Sequence, residues 1–152
     1  MRYFFLREVP FGQDGSYSHE AIVQRINADL ANDLGNLAQR SLSMIGKSGA
    51  AVPEPGAFTE ADKAILESAD RLVDEARGAM KDFALHTMLA SVWRVVADAN
   101  RYFASEEPWK LKDDPERRAT VLYTTIEVLR NIAILTLPVT PTASGKLLDL
   151  LN

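Results

Sequence analysis

The stretch Leu85-His86-Thr87-Met88-Leu89-Ala90-Ser91-Val92-Trp93-Arg94-Val95-Val96-Ala97-Asp98-Ala99-Asn100-Arg101-Tyr102-Phe103 decides the fold class. Leu85, Met88, Leu89, Val92, Val96, Ala99 and Phe103 recur at three- and four-residue steps, the period of a helix with one buried face. The pattern predicts a helix from about Lys81 to Phe103. Trp93, between Val92 and the Val96 turn, reads as a core residue.

The same period continues on both sides. Ile65, Leu66, Ala69, Leu72, Val73 and Ala76 form a second stripe, starting at Thr59, whose spacing to Asp62 resembles a capping box with Asp in place of Glu. Gly78 predicts a break or kink between these two helices. Upstream, Val23, Ile26, Leu30, Leu34 and Leu37 mark a helix from about Ser18 to Ile45, with Ser18 as N-cap and Gly46 and Gly49 as the stop. A glycine- and proline-bearing loop, Lys47 to Phe58, follows. Downstream, Asp114-Pro115 is an N-cap with proline in the first helical position. Val121, Leu122, Thr125, Ile126, Leu129, Ile132 and Ala133 carry that helix to about Thr136. Thr140-Pro141 repeats the signal for a last helix over Thr142 to Leu151. The expectation is an all-α bundle of about five helices.

Tyr3 to Phe11 breaks the pattern. Its aromatics predict a short strand or extended arm, ended by Pro10 and Gly12. A lone strand cannot make a sheet, so residues 1–17 read as an arm in want of a partner and residues 18–152 as the helical domain.

The 152 residues include 47% hydrophobic and 25% charged side chains, the balance of a globular domain. No apolar run approaches the roughly 20 residues of a membrane span, and the N-terminus lacks a signal-peptide pattern. A cytoplasmic location is the default expectation. The absence of cysteine excludes disulfides and thiolate metal sites. A net charge of −4 argues against broad gripping of nucleic-acid phosphates, so neither DNA nor a membrane is an expected partner. It leaves room for a local site reading a few bases.

Catalytic groups are few. His19 and His86 have no second ligand at helical spacing, so no metal site is expected. The adjacent Glu106 and Glu107 do not converge on one substrate. Two features remain. Asn36 and Arg40, four residues apart, emerge on one side of their helix, roughly 80–120° from the centre of its apolar stripe. Such a donor-rich pair suits the edge of an unpaired base, or is a solvated flank. Pro108-Trp109, between two long helices and ahead of Lys110-Leu111-Lys112, either presents an indole for base stacking or plugs the end of the bundle.

Read in order, Arg2-Tyr3-Phe4-Phe5-Leu6-Arg7-Glu8-Val9-Pro10-Phe11-Gly12-Gln13-Asp14-Gly15, Ile26 through Arg40, and Ala99-Asn100-Arg101-Tyr102-Phe103 through Glu107-Pro108-Trp109 resemble the region of bacterial methionyl-tRNA synthetases that follows the catalytic domain. The resemblance covers nearly the whole chain. It implies an anticodon-binding bundle of the class I synthetase type, and a tRNA partner. It also implies that Asn36 and Arg40 hydrogen-bond the anticodon, chiefly its first base, cytosine, and that Trp109, shaped by Pro108, stacks on that base. The family's His-Ile-Gly-His-type and Lys-Met-Ser-Lys-Ser-type signatures do not occur here. The resemblance therefore places methionine activation and its ATP in a catalytic domain outside this sequence, with no cofactor in the chain itself. Residues 2–17 would be the link to that domain, mobile or engaged in crystal or dimer contacts when it is absent. A stand-alone helical interaction module and the anticodon domain of a related class I synthetase are the competing expectations.

Overall fold

The computed structural model describes residues 1–46 and 51–151, and every regular element among them is helical. The elements are α1 (Arg2–Glu8), α2 (His19–Arg25), a wide-turn π segment (Ile26–Gly35), α3 (Asn36–Gly46), α4 (Glu60–Lys81), α5 (Leu85–Glu106), α6 (Pro115–Thr136) and α7 (Pro141–Leu150). The all-α expectation holds. The helices begin where the capping chemistry places them: Ser18 Oγ accepts from the Ala21 N–H, Asp114 Oδ1 accepts from Arg117 N–H, and the Thr59–Asp62 capping box is closed in both directions. Thr140 behaves differently. Its hydroxyl meets Ser144 Oγ at 2.8 Å rather than a backbone N–H.

Helix α5 lies at the centre, packed against α1, α4, α6 and the π segment. Met88, Leu89, Val92, Trp93, Val96, Ala99 and Phe103 are buried, and the predicted stripe of α6 is buried with them. Each large aliphatic side chain enclosed in this way contributes about 1.5–3 kcal/mol of hydrophobic stabilisation.

Three expectations change. The first concerns the N-terminus, which is a helix and not an extended arm. Its partner is α5: the Tyr3 and Trp93 rings lie 4.8 Å apart, and Tyr3 and Phe4 are only 3% and 2% exposed. Arg2 Nη1 donates to the Pro138 carbonyl at 3.1 Å, and Glu8 pairs with Arg25. Aromatic residues favour strands only where a sheet receives them; here tertiary packing outweighs that propensity. In this arrangement residues 2–8 pack against α5.

Secondly, α4 runs through Gly78 without a break. One glycine costs a helix about 1 kcal/mol, which the packed α4 absorbs. The stop falls at Phe83, in left-handed backbone with φ 53°. The Ala84 N–H donates to the Ala79 carbonyl and the Phe83 N–H to the Met80 carbonyl. This is a Schellman closure with phenylalanine where glycine is usual.

Thirdly, the predicted helix from Ser18 to Ile45 is one continuous rod whose middle is wound in wide turns. The Asn36 N–H donates to the Ala31 carbonyl, five residues back. Wider winding rotates the face upstream of it, so Ile22 is buried in place of Val23, which is 42% exposed. Gly46 is the last residue of α3; Gly49, the other expected stop, lies outside the described residues.

Gly35 is what the wide turns require. A Cβ at this position would sit 2.9 Å from the Leu30 carbonyl oxygen, whereas one at Gly78 would meet nothing within 4 Å. The two glycines should therefore respond to alanine with opposite signs. Gly78→Ala should stabilise by about 1 kcal/mol through helix propensity. Gly35→Ala should destabilise by about 1–3 kcal/mol through overpacking. Urea unfolding of the two variants checks this, and stabilisation by both would mean that the segment is ordinary α-helix.

Candidate nucleic-acid interface

Asn36 opens α3 and Arg40 lies one turn later, so both side chains leave the rod on one side, and both are exposed. Arg40 Nε donates to the Asn36 carbonyl at 3.3 Å, and Nη2 donates to Asn100 Oδ1 on α5 at 2.8 Å. The guanidinium carbon stands 5.3 Å from the centroid of the buried Phe103 ring. A cation over an aromatic face is attracted by the ring quadrupole.

Trp109 reaches the same ring. The Phe103 and Trp109 centroids are 6.0 Å apart, tilted by 56°. Trp109 is 43% exposed, so it rests on the end of the bundle without being swallowed by it. Arg40 and Trp109, far apart in sequence, are thus joined through Phe103. Asn36 enters this group through its main chain, which accepts from Arg40; no hydrogen bond of its side chain is found among the described residues.

The corner that presents Trp109 is unusual backbone. Glu107 ends α5 in the left-handed region with φ 43°, immediately before the buried Pro108. Non-glycine residues occupy that region sparingly. The Lys110 N–H donates to the Glu107 carbonyl at 2.7 Å, and Lys110 Nζ pairs with the Glu107 carboxylate at 2.7 Å. These bonds close the turn around Pro108-Trp109.

Below the corner lies a buried ionic network that sequence reasoning did not foresee. Asp62 caps α4 with its main-chain contact from Thr59. It also accepts Arg117 Nη2 at 2.9 Å, Arg117 Nη1 at 2.5 Å and the Tyr102 hydroxyl at 2.5 Å. Arg117 Nη2 reaches on to Glu106 at 2.7 Å, tying the end of α5 to the start of α6 on either side of Trp109. Burial pushes the Asp62 carboxyl upward, but the hydrogen bonds from Arg117, Tyr102 and Thr59 outweigh it and hold the group at about 2. Burial, reinforced by Asp62, raises the Tyr102 phenol above its ordinary value.

Asn100 was also missed as a site residue. Its Nδ2 donates to the Asp33 carbonyl at 3.1 Å and the Val96 carbonyl at 3.0 Å. The available signal was a lone amide one turn before Phe103 on an otherwise apolar face.

Comparison with known proteins assigns the class first. Residues 1–42, which carry Asn36 and Arg40, match the family model for "tRNA synthetases class I (M)". Residues 52–152, which carry Trp109, match the model for the "Anticodon binding domain of methionyl tRNA ligase". The chain therefore belongs to the methionyl-tRNA ligase family, and its bundle is the anticodon-binding domain of that family.

Its relatives include the methionine–tRNA ligase of Brucella suis, 65% identical over 99% of this chain and 30% of the relative. That of Mycobacterium tuberculosis is 54% identical over 100% of this chain and 30% of the relative. The chain thus spans about 30% of the length of the curated relatives it matches. Among solved structures, the free-state M. tuberculosis methionyl-tRNA synthetase superposes with a TM-score of 0.94 at 54% identity, covering 97% of this chain and 31% of that one. The same enzyme bound by methionyl-adenylate gives 0.95, covering 97% and 30%.

The buried network carries a pH prediction. Asp62 has an ordinary value of 3.8 and a folded value of about 2. Between these the unfolded chain binds more protons than the folded one. The contribution of Asp62 is complete above 3.8 and is lost as pH falls through about 2. It should amount to about 2 kcal/mol. Urea unfolding across that range should show the loss in the parent and a flatter profile in Asp62→Asn; parallel profiles would exclude Asp62 as the source.

Proposed function

We propose that this chain reads the anticodon of methionine tRNA for methionine–tRNA ligation. The observation that carries the reading is the convergence of Arg40 and Trp109 on the Phe103 ring, with Asn36 one turn from Arg40. An indole that is half open to solvent is a stacking surface for a splayed base, and the guanidinium that shares its Phe103 ring supplies donors for that base's acceptor edge. Cytosine offers a carbonyl and a ring nitrogen to such donors. Asn36 adds a second hydrogen-bonding group on the same helix face, and Pro108 sets the direction of the indole.

The acidic net charge is compatible with this role. Recognition through a stacked base and a few hydrogen bonds depends little on neutralising many phosphates. Methionine activation with ATP belongs, in this reading, to the larger part of the enzyme represented in the relatives and not in this chain. Residues 1–17 lie on the side that meets that part: Phe5, Phe11, Tyr17 and Phe83 leave apolar surface exposed around α1. The setting is the cytoplasm, where tRNA is charged. Among the described residues no helix is long and apolar enough to cross a membrane.

The test is a binding titration of the chain with a methionine-type anticodon stem-loop carrying cytosine at the first anticodon position. Trp109→Ala should weaken binding by roughly 1–3 kcal/mol, the scale of one base stack. Arg40→Ala should weaken it as well, and replacing that cytosine should cost affinity in the parent. Unchanged binding in both variants removes the site assignment. Insensitivity to the first base points to a different class I synthetase specificity.

A further inference from the structure

The orientation of the Asn100 amide is fixed by its surroundings. Both hydrogens of Nδ2 have carbonyl acceptors, Asp33 at 3.1 Å and Val96 at 3.0 Å, while Oδ1 accepts from Arg40 Nη2 at 2.8 Å. A flipped amide would set its oxygen against two carbonyl oxygens and its NH₂ against a guanidinium, so every contact would turn repulsive. Asn100 can therefore offer Arg40 only an acceptor.

One of those carbonyls belongs to the π segment. Asp33 lies two residues before Gly35, and its carbonyl also takes the Asn36 N–H. A single amide thus connects the wide turns, helix α5 and the guanidinium. With Nε on the Asn36 carbonyl and Nη2 on Asn100, two donors of the Arg40 fork are held, and the guanidinium carbon lies over the Phe103 ring. Among the described residues no hydrogen bond is made by Nη1. A long side chain on an exposed helix face ordinarily samples many rotamers, and restraining it beforehand removes that cost from binding.

We propose that Asn100 is the positioning residue for Arg40, holding the guanidinium with its unbonded donors directed to an acceptor-bearing base edge and deriving its own orientation from the Asp33 and Val96 carbonyls. This rests on the anticodon-reading role proposed above and extends it to a residue that need not touch RNA. It makes base selectivity depend on the π segment, because Asp33 presents its carbonyl to Asn100 from those turns.

The experiment is a double-mutant cycle on the full chain, read by titration with stem-loops that differ only at the first anticodon base. Asn100→Ala should weaken binding of the cytosine stem-loop about tenfold in the parent and less than about twofold in an Arg40→Ala background, since its effect acts through Arg40. It should also narrow the preference for cytosine over uridine, which a general loss of stability would leave unchanged. Asn100→Asp keeps an acceptor for Arg40 but loses both donors to the carbonyls, and should weaken binding too; a parent-like Asp variant overturns the carbonyl lock. Equal losses from Asn100→Ala in both backgrounds, or no loss where Arg40→Ala shows one, overturns the positioning role and leaves anticodon reading intact. If neither Arg40→Ala nor Trp109→Ala alters binding, the reading itself fails and this inference falls with it.

Discussion

Asp62 is a charged carboxylate with no solvent exposure, and the upper end of the bundle is organised around satisfying it. Removing such a group from water costs several kcal/mol unless its lone pairs are filled. Thr59 of the cap, Tyr102 of α5 and Arg117 of α6 fill them together. Three helices must therefore meet at one register, because sliding any of them by a turn would strand the charge. Hydrophobic stripes alone are permissive about register. A buried ion with partners on three helices is not, and the Glu106 bond to Arg117 passes that constraint to the corner holding Trp109.

Asp29 does comparable work at the other end. It is 5% exposed, accepts the Tyr3 hydroxyl and pairs with Arg25 and Arg7. Burial raises the Tyr3 phenol above its ordinary value, and the bond to Asp29 raises it further. Its neighbour in the π segment, Asp33, is raised by burial and by the charge of Asp29. The rod from His19 to Gly46 is thus fastened at both ends of its wide-turn stretch, to α1 through Asp29 and to α5 through the Asp33 carbonyl.

The helices of the bundle were legible because helical periodicity and capping are local. Ser18, Thr59 and Asp114 each announce a helix start by chemistry that acts within four residues. Most of the α5 and α6 stripes could likewise be read from the sequence, although Val95, Tyr102, Thr120, Thr124 and Val128 are buried beyond them and Leu85 is not. What could not be read were features fixed by distant partners. Tyr3 is helical because Trp93 and Asp29 receive it, and nothing in residues 1–17 names either. The wide turns leave a trace in Gly35, but a lone glycine in a helix has many readings. Phe83 ends α4 in a backbone region that phenylalanine seldom enters, so Gly78 was the more natural guess. At the site, spacing paired Asn36 with Arg40 and marked Trp109. Their link through Phe103 and the role of Asn100 depend on how α3 crosses α5.

The two tryptophans divide the optical signature of the protein. Trp93 is enclosed among the Tyr3 ring and the apolar core, and its indole N–H has no hydrogen-bond partner among the described residues. Its emission belongs at the blue end of the indole range and is shielded from aqueous quenchers. Trp109 stands half in solvent, with Lys110 next to it in the chain, so its emission is expected to be red-shifted and open to collision. A single excitation therefore interrogates two places at once: the blue component follows the docking of α1 on α5, and the red component follows the surface where a base would lie.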